Sequence, residues 1–282
     1  MKIKDRVMIK IDSVAFGGDG VGRSDNMVVF VPFSAPGDEL EIEITQLKKS
    51  FARGRILQVV KPSPLRAEPR CRYYGKCGGC SYQHLDYQYQ LEFKKKQVEE
   101  SFRKIGKISN PSVFDAIPSP QIYHYRGRAQ YHTRAVSRGW EIGFMDISGG
   151  KLLNIEYCEI MEETINEKLH AMRNKKGLLS DENDLIIWSD CLSGEENESI
   201  TRIVKGKNFQ VPRDGFFQAN LYLTDKLVDD VCRLIESDKV KTLIDAYCGS
   251  GLFSVFLSPY VGKVIGIEIN EKSVRCAQVN TS

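Results

Sequence analysis

No stretch of about 18 uncharged apolar residues occurs in the 282 positions, so the chain offers no candidate transmembrane helix. The first twelve residues, MKIKDRVMIKID, alternate charged and apolar side chains and lack the apolar block of a secretory signal, which points to the cytoplasm. Net charge is nearly absent too: 40 basic against 37 acidic residues leave +3, too little to name a partner from the average. The chain has no G-x-G-x-x-G, which argues against a nicotinamide turn. Disulfides are not expected where thiols stay reduced, so the eight cysteines need another reading.

What is present falls into three blocks, more than one core would fill. Residues 1–61 contain four short Val/Ile-rich segments (7–11, 27–31, 39–45 and 54–60) with partial period-two alternation. Turn chemistry separates them: Gly17-Gly18-Asp19-Gly20 with Gly22, then Pro36-Gly37-Asp38. That spacing predicts a small β-barrel of the oligonucleotide-binding type. Pro62, Pro64 and Pro69 mark a linker. Residues 62–210 read as an α+β domain, with a helix over 86–105 capped by Asp86 and striped by Leu91, Val98, Phe102 and Ile105. A second helix near 161–174 and strands at 140–144, 184–188 and 199–204 complete it. Residues 211–282 change character: an amphipathic helix over 221–237, a strand at 242–245, a glycine loop, a helix from Leu252 and a strand at 263–269. Strand, loop, helix, strand is a βαβ unit and implies a parallel, Rossmann-like sheet.

Charge is segregated along this framework. Lys48, Lys49, Arg53, Arg55, Lys61 and Arg66 form a run without an acid, whereas 154–199 is acidic. Between Ile122 and Trp140, Arg126, Arg128, Arg134 and Arg138 interleave with Tyr123, His124, Tyr125, Tyr131 and His132. Arginines hold phosphates and aromatic faces stack unpaired bases, so this stretch suits single-stranded RNA; the same alternation also fits an amphipathic surface strand.

Two motifs carry chemistry. The loop Ala246-Tyr247-Cys248-Gly249-Ser250-Gly251 lies at the carboxyl end of a strand, where Gly249 and Gly251 let the backbone approach a ligand closely. Glu268, ending the next strand, is placed to accept hydrogen bonds from ribose hydroxyls. The second motif, Cys71-x5-Cys77-Gly78-Gly79-Cys80, gathers three thiolates around a tight turn. Zinc held by Cys71, Cys77, Cys80 and His84 competes with a 4Fe–4S cluster whose fourth thiolate comes from elsewhere. Cys191, Cys232, Cys248 and Cys276 read as small core residues.

Taken together, the chain resembles the TrmA-like RNA uracil-5-methyltransferases over nearly its whole length. Phe16-Gly17-Gly18-Asp19-Gly20-Val21-Gly22-Arg23, Phe30-Val31-Pro32 and Ala35-Pro36-Gly37-Asp38 resemble the amino-terminal TRAM domain, an RNA-binding barrel. Cys71, Cys77, Cys80 and Gln83-His84-Leu85 resemble the family's iron–sulfur segment. The resemblance implies Cys158 as the fourth ligand of a 4Fe–4S cluster and a structural role for His84. Phe216-Phe217-Gln218-Ala219-Asn220 is similar to the F-x-Q-x-N motif, which implies cofactor contacts for Gln218 as well as for Tyr247 and Glu268.

The implied cofactor is S-adenosylmethionine, and the implied partner is RNA, ribosomal from the cluster-bearing branch with transfer RNA as the alternative. The enzyme is expected to be a monomer. In the family a cysteine thiolate adds to uracil C6, C5 attacks the methyl sulfonium, and a base removes the C5 proton. Both groups are expected beyond Ser282, so no catalytic residue is assigned, and these residues are expected to be inactive alone. Cys248 sits in a loop that should face the methyl donor and has no paired base nearby. A radical methylthiotransferase is disfavoured, because its cluster needs C-x-x-x-C-x-x-C; an RNA-binding module without catalysis is the remaining rival.

Overall fold

The computed structural model describes residues 1–137, 139–174, 185–189, 198–236 and 240–282; Arg138, Asp184 and Cys191 of the expectations above lie outside them. It divides into two compact units, Met1–Pro118 with Phe144–Leu153, and Ser119–Gly143 with Asn154–Ser282.

The first unit opens with five strands, β1 (Arg6–Val14), β2 (Gly20–Ser24), β3 (Met27–Val31), β4 (Glu39–Leu47) and β5 (Phe51–Lys61). They close a barrel in the order β1-β2-β3-β5-β4, with β3 and β5 parallel and the other neighbouring pairs antiparallel. Strict alternation on β4 drives the closure: Leu40, Ile42 and Ile44 point into a core with Ile9, Ile11, Val29 and Val31, while Glu39, Glu41 and Glu43 face outward. The glycine run conceals β2. Gly17 and Gly18 do turn, at φ 96° and 102°, but Gly20 and Gly22 lie in the strand. A Cβ at Gly22 would stand 2.3 Å from the Lys10 carbonyl oxygen, so glycine there answers close strand approach.

The acid-free basic run is largely neutralised by acids distant in sequence. Arg53 pairs with Asp19, Arg55 with Glu43 at 3.0 Å, Lys61 with Glu39 at 3.5 Å and Arg66 with Asp38 at 2.7 Å, leaving Lys48 and Lys49 exposed at the β4–β5 turn. The Asp38 carboxylate is fully buried and also accepts from Ala35 N at 2.6 Å and Ser63 N at 2.8 Å. Helix α1 (Tyr87–Lys104) follows, with the Asp86 side chain accepting from Gln88 N as a cap. Its apolar stripe forms but is not buried: Val98, Phe102 and Ile105 line an open groove with Phe16.

The second unit carries β6 (Arg128–Val136), most of β7 (Gly139–Met145), α2 (Glu163–Asn174) and β9 (Leu185–Trp188); β8 (Leu152–Asn154) begins in the first unit, and the strand order is β8-β7-β6-β9. Residues 144–153, at the turn of the β7–β8 ribbon, group with the first unit. The arginine–aromatic stretch is therefore strand β6, and alternation sorts its residues. Ala129, Tyr131 and Thr133 point into the core, while Gln130, His132 and Arg134 point out. Tyr131 is unavailable for base stacking, Arg134 is paired with Glu141, and the Arg128 guanidinium lies 5.3 Å over the Trp188 ring.

Strands β10 (Ser199–Val204) and β11 (Lys207–Pro212) form a hairpin turned by Lys205-Gly206, both at positive φ. Helix α3 (Thr224–Glu236), strand β12 (Thr242–Ala246), helix α4 (Leu252–Leu257), strand β13 (Lys263–Ile267) and helix α5 (Glu271–Asn280) complete the unit. Phe209, Val211, Phe217, Val228, Leu252, Val255 and Leu257 share one core, which ties the hairpin, α3 and α4 together. Among the described residues no helix is long and apolar enough to cross a membrane.

Candidate cofactor-binding site

Strands β12 and β13 are parallel, pairing Asp245 with Gly266 and Ala246 with Ile267, so both chains leave the sheet at the same edge. The loop leaving β12 is compact. Cys248 N donates to the Ile267 carbonyl at 3.0 Å, and Gly251 N donates to the Cys248 carbonyl at 2.9 Å. Three residues take positive φ: Tyr247 at 63°, Gly249 at 56° and Gly251 at 80°. Tyrosine in that region is strained, and its ring is 89% exposed beside the loop. Asp245 fixes the other side: its carboxylate accepts from Ser254 N at 2.9 Å and Ser254 Oγ at 2.6 Å, locking α4 onto β12.

Glu268 and the glycine loop meet directly. One carboxylate oxygen accepts from Gly249 N at 2.9 Å, and the other accepts from Ile269 N and Asn270 N at 2.8 Å each. The Asn270 amide first, then those of Gly249 and Ile269, hold the Glu268 carboxyl below its ordinary pKa, so it stays anionic. An anionic acceptor at a strand end beside a glycine loop suits a diol such as a ribose. Burial pushes the Cys248 thiol up, and the nearby Asp245 and Glu268 charges push the same way. A raised pKa disfavours the thiolate form of Cys248.

The cysteine loop belongs to the first unit. Cys77 N donates to Tyr73 O at 2.9 Å and Gly78 N to Met145 O at 3.0 Å, while Gly79 N points at Cys77 Sγ at 3.4 Å. Burial raises the Cys77 pKa, and the neighbouring Cys80 and Cys71 raise it further, so ionisation of Cys77 is opposed by both. A bound cation centre would relieve that opposition, and in kind the donors fit iron or zinc. Among the described residues, however, no three His, Cys, Asp or Glu side chains converge as a metal-binding group. His84 is no ligand here: Nδ1 is 2.6 Å from Tyr74 Oη and Nε2 is 3.1 Å from Ser34 O, so both ring nitrogens are engaged. Cys158 lies in the second unit, where Asn166 brackets its backbone, accepting from Cys158 N at 2.9 Å and donating to Cys158 O at 3.2 Å.

Residues 4–57 match the TRAM domain family, and residues 191–282 match the family described as tRNA (Uracil-5-)-methyltransferase. The chain joins a TRAM domain to a methyltransferase fold. The tRNA (uracil(54)-C(5))-methyltransferase of Schizosaccharomyces pombe is 32% identical, covering 97% of this chain and 58% of its own length. An RNA methyltransferase of Protochlamydia amoebophila, described as uncharacterized, is 28% identical over 100% of this chain and 75% of its own length. The crystal structure of the Pyrococcus abyssi tRNA (uracil-54, C5)-methyltransferase with S-adenosyl-L-homocysteine shares the fold, at a TM-score of 0.63 and 24% identity over 96% of this chain and 75% of that one. The chain thus spans little more than half of the fission yeast relative, at 58%.

Within the methyltransferase segment, Gln218 is half-buried and follows Phe217, which anchors it to the core shared with α4. Asn220 closes the turn that leads into α3, accepting from Tyr222 N at 2.9 Å and Leu223 N at 3.2 Å. Asp245 opens the motif D-x-x-C-G-x-G in the sequence, but its contact with Ser254 was not legible there, and Asn280 was not picked out at all. Asp245 sits in a strand whose neighbours read as apolar, and Asn280 ends a helix with no visible partner; both acquire roles through contacts nine and 70 residues away.

Proposed function

We propose that the protein is an S-adenosylmethionine-dependent RNA methyltransferase acting in the cytoplasm on C5 of a uridine. The observation that carries the reading is the pairing of the Glu268 carboxylate with the Gly249 amide across the β12–β13 strand ends. In this reading Gly249 and Gly251 let the backbone close on the methyl donor. Glu268 holds its ribose, Tyr247 stands over the loop, and Gln218 borders the pocket from the segment after β11. The donor supplies the electrophilic methyl group. The TRAM barrel supplies an RNA-binding surface that includes the free lysines Lys48 and Lys49. Transfer RNA is favoured over the ribosomal RNA expected from the resemblance, because the Schizosaccharomyces and Pyrococcus proteins are both named for a tRNA uridine.

Incubation of the product of the complete coding sequence with methyl-labelled donor and unmodified transfer RNA should place label on C5 of uridine, and parallel reactions with 23S ribosomal fragments should give less, whereas residues 1–282 alone are expected to be inactive. Greater transfer to the ribosomal fragments restores the first expectation. Label on a ribose or a base nitrogen, or on neither RNA, sinks the reading.

The metal proposal is separate: Cys71, Cys77 and Cys80 hold an iron–sulfur cluster, with Cys158 as fourth ligand by resemblance alone. Protein purified anaerobically should be brown and carry iron with acid-labile sulfide, lost in Cys158→Ser and kept in His84→Ala. Colourless protein with stoichiometric zinc overturns it.

A further inference from the structure

Asn280, in the last turn of α5, makes three hydrogen bonds with one side-chain amide. Its Oδ1 accepts from Gln210 N at 2.7 Å, and its Nδ2 donates to Gln210 O at 2.9 Å and to Ser250 O at 2.8 Å. The first two reproduce the double exchange that opposed residues make in an antiparallel ladder, so the side chain stands in for a neighbouring strand beside β11. The third reaches into the glycine loop between Gly249 and Gly251. One turn earlier on the same face, Ala277 backs the loop as well: a Cβ at Gly251 would lie 3.2 Å from the Ala277 Cβ.

We infer that Asn280 is a positioning residue for the cofactor site, bracketing the glycine loop to β11. The inference rests on the reading of that loop as the methyl donor's site. Strand β11 ends at Pro212 and leads through Gly215 and Phe217 to Gln218, so Gln210 and Ser250 stand on the two segments expected to line the pocket. A bond from one amide to both fixes the span between them before any ligand arrives. Such preorganisation lowers the ordering cost of binding. The chemistry selects an amide: two carbonyls need donors and one N–H needs an acceptor, from a group short enough to leave the helix by one methylene. Aspartate has the same shape but would set its second oxygen against the Gln210 and Ser250 carbonyls.

Two measurements test this, exchange on the 282-residue chain and affinity on the product of the complete coding sequence. In the native protein, the Gln210 amide should exchange with deuterium as slowly as the β10–β11 ladder amides, although its partner is a side chain. In Asn280→Asp, the Gly249 and Gly251 amides should exchange faster and shift in the nitrogen–proton spectrum, while amides of β6 and β9 keep their native protection. Calorimetric affinity for S-adenosylhomocysteine should fall about tenfold. Thr281→Ala, which removes only hydroxyl contacts to the Ala277 and Gln278 carbonyls of α5, should leave loop exchange and affinity unchanged. Rapid exchange of the native Gln210 amide overturns the bracket. So does an Asn280→Asp variant with native loop exchange and affinity, or one whose exchange rises uniformly across the second unit. A product of the complete coding sequence that takes up no S-adenosylhomocysteine refutes the cofactor reading instead, and the exchange results still decide the bracket.

Discussion

The TRAM barrel and the β12–β13 pair are built from the same kind of sequence, short runs rich in isoleucine and valine, yet they bury it very differently. In the barrel Leu40, Ile42 and Ile44 have no exposed surface, because five strands close on themselves and every inward residue meets another strand. In the parallel pair Ile244 is 62% exposed and Ile267 55%. Register explains which residues suffer: Leu243 and Asp245 share the face covered by α4, whereas Ile244, Ile265 and Ile267 share the opposite one. Hydrophobicity of a strand predicts that a face wants cover; closure of the sheet decides whether it has it.

The largest effect expected from breaking that contrast lies in the barrel. Asp38 is a fully buried carboxylate tied to Arg66 by two hydrogen bonds, Arg66 Nε to Oδ1 at 2.8 Å and Nη2 to Oδ2 at 2.7 Å. Asp38→Asn leaves the largely covered guanidinium without its charge partner and should cost about 3–5 kcal/mol. Burial by itself would raise the Asp38 pKa, but the hydrogen bonds from Arg66, Ala35 and Ser63 outweigh it and the folded value is depressed. The stability this carboxylate contributes is therefore present above the unfolded value of about 3.9 and is lost as pH falls through the lower folded value. Thermal melts should show a gap between native protein and Asp38→Asn that is constant near pH 7 and narrows below about pH 4. A gap independent of pH would mean that the variant disturbs packing and not the ion pair. Next comes Ile44→Thr, which removes a methyl from the barrel core and buries a hydroxyl, at about 2–4 kcal/mol in the same melts.

The same contrast shows what was legible in the sequence. Strand alternation on β4, the Asp86 cap and the βαβ unit were readable because they depend on residues within one or two turns. The glycine loop and Glu268 were readable for the same reason, and the structure joins them at 2.9 Å. Strand β2 was hidden because its glycines serve close strand packing, a demand set by β1 and Ser34 and invisible locally. The apolar stripe of α1 was correct in register but gave no sign that it would remain open, since burial depends on what lies opposite. The basic run from Lys48 to Arg66 hid its ion pairs for a related reason: Asp19, Asp38, Glu39 and Glu43 lie upstream of the run in the sequence and beside it in the barrel. Arg134 and Tyr131 were sorted to opposite faces by the pleat, which decides between the two readings that composition left open, an RNA-contacting stretch and an amphipathic surface strand, in favour of the strand.

The smallest expected effect is the most discriminating, because it repeats the Ile44 substitution on the exposed sheet. Ile244→Thr keeps a β-branched side chain and hence the strand preference, and the new hydroxyl meets water instead of a core. Its cost should fall within about 0.5 kcal/mol, the range of surface substitutions. Both tryptophans, Trp140 and Trp188, lie in the second unit, so their fluorescence follows that unit through a melt without interference from the barrel. The substitution should still change behaviour in solution. Ile244, Ile265 and Ile267 form one contiguous apolar face, and threonine at its centre should reduce concentration-dependent association seen by light scattering. A loss of several kcal/mol in the fluorescence melt would show that the face is covered in solution, and the contrast with the barrel would then be one of partner and not of closure.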